Sequence, residues 1–136
     1  MEHTTMVDRL LAATAVLSLV AAVIHISVIP EHFEEWWGYG LFFLLAAIAQ
    51  ALFAVAILHA PSRTLIWAGI IGNLAIFALW IATRTIGIPV FGPHAGEIEE
   101  VGAVDLASKG VEVLLVLLLG VVLRTMQPPQ RTSGTA

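Results

Sequence analysis

The chain has 136 residues, 59% of them hydrophobic and 12% charged, with a net charge of −4 and a mean hydropathy of +0.94. A soluble domain is roughly 45–50% apolar and about 25% charged, so a disordered chain, a solvated coiled coil and, for want of a basic face, a nucleic-acid binder are excluded. The absence of cysteine excludes disulfide frameworks, CxxC zinc sites, iron–sulfur clusters and thiol nucleophiles, and an integral membrane protein remains.

Four apolar runs follow, each about the 17–25 residues a helix needs to cross ~30 Å of hydrocarbon. The first covers residues 10–29. Glu2 and Asp8 beside Arg9, with no A-x-A site ahead of Pro30, mark it as a retained helix rather than a signal peptide. The second run is 39–58. Its helix is expected to start earlier, at Pro30, because Pro at the first position followed by Glu31, Glu34 and Glu35 is a helix-start pattern. The third run is 65–82 and the fourth 103–123. Pro93 with Glu97 in the next turn predicts that the fourth helix begins at about Gly92 and Pro93. The expected fold is an all-α four-transmembrane-helix bundle over residues 1–126, with 127–136 a disordered tail.

Basic residues near the span ends set the orientation. Arg9, Arg63, Arg124 and Arg131 fall on one side and only Arg84 on the other. Both termini are therefore expected in the cytoplasm, N-in/C-in, in a bacterial cytoplasmic (inner) membrane. The outward loops then hold Glu31, Glu34, Glu35, Glu97, Glu99 and Glu100.

A polar side chain inside a bilayer faces the bundle interior or a cavity, and helical spacing sorts the polar residues here into stripes. Ser18, Ala22 and His25 share a face of the first helix; His32, Glu35, Tyr39, Phe43, Ala46 and Gln50 share one on the second. Asn73, Phe77, Trp80 and Arg84 line the third, and Glu97, Val101, Asp105, Lys109 and Glu112 the fourth, with Ser108 alongside. The stripes become more polar toward the outer surface, which predicts a polar pocket opening outward.

Three kinds of chemistry fit these residues. His25, His32, Glu35, His94 and Glu97 form a candidate metal site, since imidazole with carboxylate suits zinc, iron, manganese or copper(II). His32 with Glu35, and His94 with Glu97, are spaced i, i+3, as inward-facing ligands of dimetal bundles are; a solvated acidic loop is the plainer explanation. Asp105, Lys109 and Glu112 form a candidate acid–base or proton-path group, because ionisable residues at mid-membrane are functional by default; internal neutralisation of two acids by one cation is the alternative. Gln50, Asn73, Trp80 and Arg84 are candidates for binding a cofactor or ligand. Interhelical hydrogen bonds for the two amides, and an interfacial anchor for Arg84, account for them equally. Arg84 can fork onto Glu97 or Glu100. Trp36 and Trp37 fit an aromatic belt.

The segments PEHFEEW (30–36), GLFFLLAAIAQ (40–50) and RTIGIPVFGPHAGEIEEVGAVDLASKGVE (84–112) resemble those of small four-span bacterial integral membrane proteins for which no activity is established. The resemblance covers residues 24–112 and implies the topology and the weight of these motifs, not a reaction. The residues themselves favour metal binding at an outward His/carboxylate site. The alternatives are a membrane enzyme acting on a lipophilic substrate by metal or Asp/Glu acid–base chemistry, and a small proton-coupled transporter. The expected partners are the lipid bilayer, a lipophilic small molecule, and a second copy of the chain or a larger membrane complex.

Overall fold

With no water to satisfy the backbone, a membrane-spanning segment must close its hydrogen bonds within itself, and apolar sequence free of breakers does so as helix. The computed structural model describes residues 2–88 and 91–126; the tail expected to be disordered, 127–136, lies outside them. Among the described residues there are four helices, α1 Glu2–Glu35, α2 Trp37–His59, α3 Arg63–Thr85 and α4 Ala103–Thr125. Each is long and apolar enough to cross a membrane, and each contains one of the spans expected from sequence. The protein is an all-helical, multi-pass membrane bundle. At ~1.5 Å per residue, the 23-residue helices are about 35 Å long and the 34-residue α1 about 50 Å.

Two expected helix starts are corrected. Pro30 lies inside α1, which runs on to Glu35. Proline removes its own donor and crowds the carbonyl four residues back, but the turn beyond it is held by the Trp36 amide on the His32 carbonyl at 3.0 Å. The break falls at Trp36, whose backbone is extended (φ −168°, ψ 136°), and α2 begins at the next residue. So tight a reversal needs Gly40, where a Cβ would run into the Phe33 ring. His32 and Glu35 therefore belong to α1, and the single stripe from His32 to Gln50 is cut between Glu35 and Tyr39.

The fourth helix begins at Ala103, not at Pro93. Gly87, Gly92 and Gly96 all have positive φ and turn the chain before a helix can form. The Gly96 amide reaches the Ile88 carbonyl at 2.8 Å, and the Glu99 amide reaches the Thr83 carbonyl at 3.0 Å. Glu97 and Val101 are consequently outside α4, whose stripe is reduced to Asp105, Lys109 and Glu112.

The helices alternate in direction. Phe33 against Gly40, His25 beside Phe43 and Ser18 bonded to the Gln50 carbonyl fix α1 and α2 as antiparallel neighbours. Buried alanines on both, Ala15, Ala21 and Ala22 on α1 and Ala46, Ala47 and Ala54 on α2, are small enough to let the backbones approach closely. α4 packs on α1 and α3 on α4, while α2 and α3 touch least. Toward the termini the interior is dry: Leu11, Ala15, Ala54, Ile57, Ile66, Ile70, Leu115, Leu119, Val122 and Leu123 form one apolar cluster. Toward the two loops it turns polar.

Candidate functional site

The polar half is built where α1 and α4 meet. Glu112 is 1% exposed and His25 2%. His25 Nε2 lies 3.3 Å from Glu112 Oε1 and 3.4 Å from Ser108 Oγ, and Ser108 donates to the same Oε1 at 3.3 Å. Lys109, 8% exposed, donates from Nζ to Glu112 Oε2. The carboxylate is thus held by two donors from its own helix and faces the His25 ring on α1. His25 Nδ1 is buried without a partner. Lys109 and Glu112 pair with each other, as charged side chains at membrane depth do.

Ser, His and Glu in contact invite comparison with a nucleophilic triad, and the geometry does not make one. In a triad the base serves nucleophile and acid from opposite ring nitrogens, whereas Ser108 and Glu112 share Nε2 here.

The second polar link joins α2 to α3. Gln50 Nε2 donates to Asn73 Oδ1 at 3.4 Å, and Asn73 Nδ2 donates to the Gly69 carbonyl at 2.8 Å. The two amides do form an interhelical bond, while Gln50 Oε1 is buried and free.

At the loop end Arg84 ties three segments together. Its guanidinium donates to Asp105 at 2.9 Å and to Thr83 Oγ1 at 2.6 Å, pairs with Glu99 at 2.7 Å, and lies 5.7 Å over the Trp80 ring. Arg84 pairs with two carboxylates, and they are Glu99 and Asp105 rather than Glu97 or Glu100. The Glu99 amide on the Thr83 carbonyl selects Glu99, and nothing in the run Glu97, Ile98, Glu99, Glu100 marks it. Asp105 also accepts from the Gly102 amide at 3.0 Å, capping α4. Asp105 is therefore neutralised by Arg84, and a Lys109 shared between both acids is replaced by two separate pairs.

The five expected metal ligands stand in different places. His25 is enclosed with Glu112. His32 hydrogen-bonds the Val28 carbonyl through Nδ1 at 2.8 Å and packs its ring 4.2 Å from Phe43. Glu35 is exposed at the end of α1. His94 and Glu97 pair with each other at 3.0 Å in the outer loop, both exposed. Among the described residues no three of His, Asp or Glu form a group able to hold a metal ion. The convergence expected from helical spacing is lost because both helix starts moved.

Two hollows adjoin the polar residues. One, of about 50 Å³, lies under the loop against Tyr39, Thr83, Phe91, His94, Glu97 and Glu99. The other, of about 120 Å³, is a cleft between α3 and α4 lined by Asn73, Leu74, Phe77, Glu112, Val113, Val116 and Leu117. Leu74 and Leu117 at its edge are 50% and 61% exposed, so the cleft opens sideways, where lipid lies. Glu112 forms part of its wall with both carboxylate oxygens turned inward onto Lys109, Ser108 and His25.

No protein-family model, no curated protein and no solved structure matches the chain.

Proposed function

We propose that this protein is an integral membrane protein of the cytoplasmic membrane, with both termini inside, that takes up a lipophilic molecule from the bilayer and exchanges a proton with it through the cluster of Glu112, His25 and Lys109. The observation that carries the proposal is the lateral cleft: a lipid-facing opening between α3 and α4 ends on Glu112 and Asn73. A buried carboxylate next to an imidazole is a suitable acid–base pair. Arg9, Arg63 and Arg124 at one end of the bundle and Arg84 at the other support the orientation.

The dry cluster from Leu11 to Leu123 argues against passage through a single chain. Ile57, Ile66, Leu115, Leu119 and Val122 are fully enclosed, and an ion crossing them would lose its hydration without replacement. The polar site is therefore a one-sided chamber. The cleft beside it, between α3 and α4, opens to the lipid.

The test is extraction of the detergent-purified protein with organic solvent and mass spectrometry of what it carried. A lipophile retained at near-stoichiometric amount, and lost from Val116→Trp, which fills the cleft, is expected. Equal lipid content in both proteins would remove the cleft from the proposal.

A further inference from the structure

We infer that the strap between α3 and α4 lies in the headgroup layer of the membrane at the loop end of the bundle, with Ile86, Phe91, Ile98 and Val101 as its lipid anchors. This surface is separate from the lateral cleft and does not depend on what the cleft takes up. Its assignment follows from what the strap is made of, where it is tied and what its backbone needs.

Residues 86–96 contain no Asp, Glu, Lys or Arg. The acids of the strap are gathered at 97–100, where Glu99 pairs with Arg84 and Glu97 with His94. Among the described residues of the strap, Ile86, Phe91, Ile98 and Val101 are each more than half exposed. Large apolar side chains gathered on a surface mark a contact with something apolar. The same exposure continues along the flanking helices, through Leu79 and Ile81 of α3 and Val104 and Leu106 of α4. On a membrane bundle that helical surface is covered by lipid, and the strap extends it past the helix ends.

The ties of the strap fix its depth. The Glu99 amide bonds the Thr83 carbonyl at 3.0 Å and the Glu99 carboxylate pairs with Arg84, both in the last turn of α3. The Tyr39 hydroxyl, in the first turn of α2, donates to the Phe91 carbonyl at 3.0 Å. At ~1.5 Å per residue the 23-residue α3 is about 35 Å long, against ~30 Å of hydrocarbon and roughly 40–45 Å with both headgroup layers. The helix ends fall within the headgroup layer, and so does a strap tied to them. Trp37, exposed at the start of α2, stands at the same level, where aromatic belts form.

The backbone sets the inner limit. Gly87, Gly92 and Gly96 turn it at positive φ, and irregular backbone facing hydrocarbon leaves amides and carbonyls without partners. The headgroup layer offers water to those groups and acyl chains to the side chains. Amphipathic helices lying in a membrane surface use it in this way, with their apolar face about 5–10 Å deep.

The test uses the full chain in vesicles of phosphatidylcholine, a lipid without net charge, because Glu31, Glu34, Glu35 and Glu100 are exposed at the same end. The absence of cysteine lets single thiols carry a nitroxide: Phe91→Cys and Ile98→Cys in the strap, Leu74→Cys on the exposed face of α3 as the lipid reference, and Ala60→Cys as the water reference. Power saturation reads collisions with oxygen, which concentrates in lipid, and with a neutral nickel chelate, which stays in water. The labels at 91 and 98 are expected to meet the chelate roughly threefold less than the label at 60, with oxygen collisions close to those at 74. Chelate collisions at 91 and 98 equal to those at 60 would overturn the proposal by placing the strap in water. Low collisions with both reagents would also overturn it, by showing that a second copy of the chain covers these side chains. Because a label can disturb its own surroundings, the unaltered protein is also illuminated with a phosphatidylcholine carrying a diazirine close to the glycerol. Crosslinks to peptides containing Phe91 or Ile98 are expected, and their absence would overturn the proposal as well.

Discussion

Glu112 is the residue on which the interior depends, and its two charged or basic neighbours are not equivalent. Removing Lys109 leaves a carboxylate, 1% exposed, with only Ser108 and His25 to stabilise it. Breaking a buried pair on one side costs about 3–5 kcal/mol, whereas replacing both members with apolar residues is often close to neutral. Lys109→Met is therefore expected to destabilise the detergent-solubilised protein by that amount, and Lys109→Met with Glu112→Leu to recover most of it. Thermal unfolding midpoints decide between this and an incidental pair. A double variant as unstable as the single one would mean that the carboxylate is needed for its bonds to His25 and Ser108 and not for its charge balance. The Lys109 and Glu112 pairing was legible in the sequence, because i, i+3 on a helix is a fixed neighbour relation. His25 as their third member was not: a stripe says which face a residue occupies, and only packing of α1 on α4 says what that face meets.

At the scale of elements, the stretch from α3 to α4 is an ordered strap rather than the start of a helix. Pro93 and Glu97 carry a helix-start pattern, and three glycines at positive φ override it, since left-handed turns are open to glycine at little cost. Arg84 then fastens the strap. It is 16% exposed and reaches Glu99 in the strap and Asp105 at the cap of α4, while the Glu99 amide closes onto the Thr83 carbonyl beside it. Hydrogen bonds to charged groups contribute about 1.5–3 kcal/mol. Arg84→Gln is therefore expected to raise hydrogen exchange at the Glu99 and Gly96 amides roughly tenfold or more, with exchange in the interior turns of α1 and α2 unchanged. If exchange rose throughout the bundle, Arg84 would be holding the helices together and not the strap. The four spans could be placed from hydropathy alone; the connections could not, because a proline marks a helix start or a helix interior depending on what the following backbone amides find to bond.

For the molecule as a whole, the division into a dry terminal half and a polar loop half gives the bundle a direction, and the membrane decides which way it points. Arg9 precedes the membrane-embedded part of α1, Arg63 opens α3 and Arg124 ends α4, all at the end where the apolar cluster lies. At the other end Arg84 is the one basic residue of the described chain that lies near a span end, and it is already paired with two acids. Cationic residues are retained on the cytoplasmic side during insertion and acidic ones contribute little. In the proposed orientation the dry half faces the cytoplasm and the polar half faces outward. Because the chain has no cysteine, a single introduced thiol reports its own side without background. Glu100→Cys, exposed ahead of α4, is expected to react with a membrane-impermeant maleimide on intact cells. Ala60→Cys, exposed between α2 and α3, is expected to react only after permeabilisation. The opposite pattern would place the chamber on the cytoplasmic side and make any proton it exchanges a cytoplasmic one. Reaction of both thiols in intact cells would mean that the chain inserts in two orientations; two antiparallel copies would then be the unit to consider.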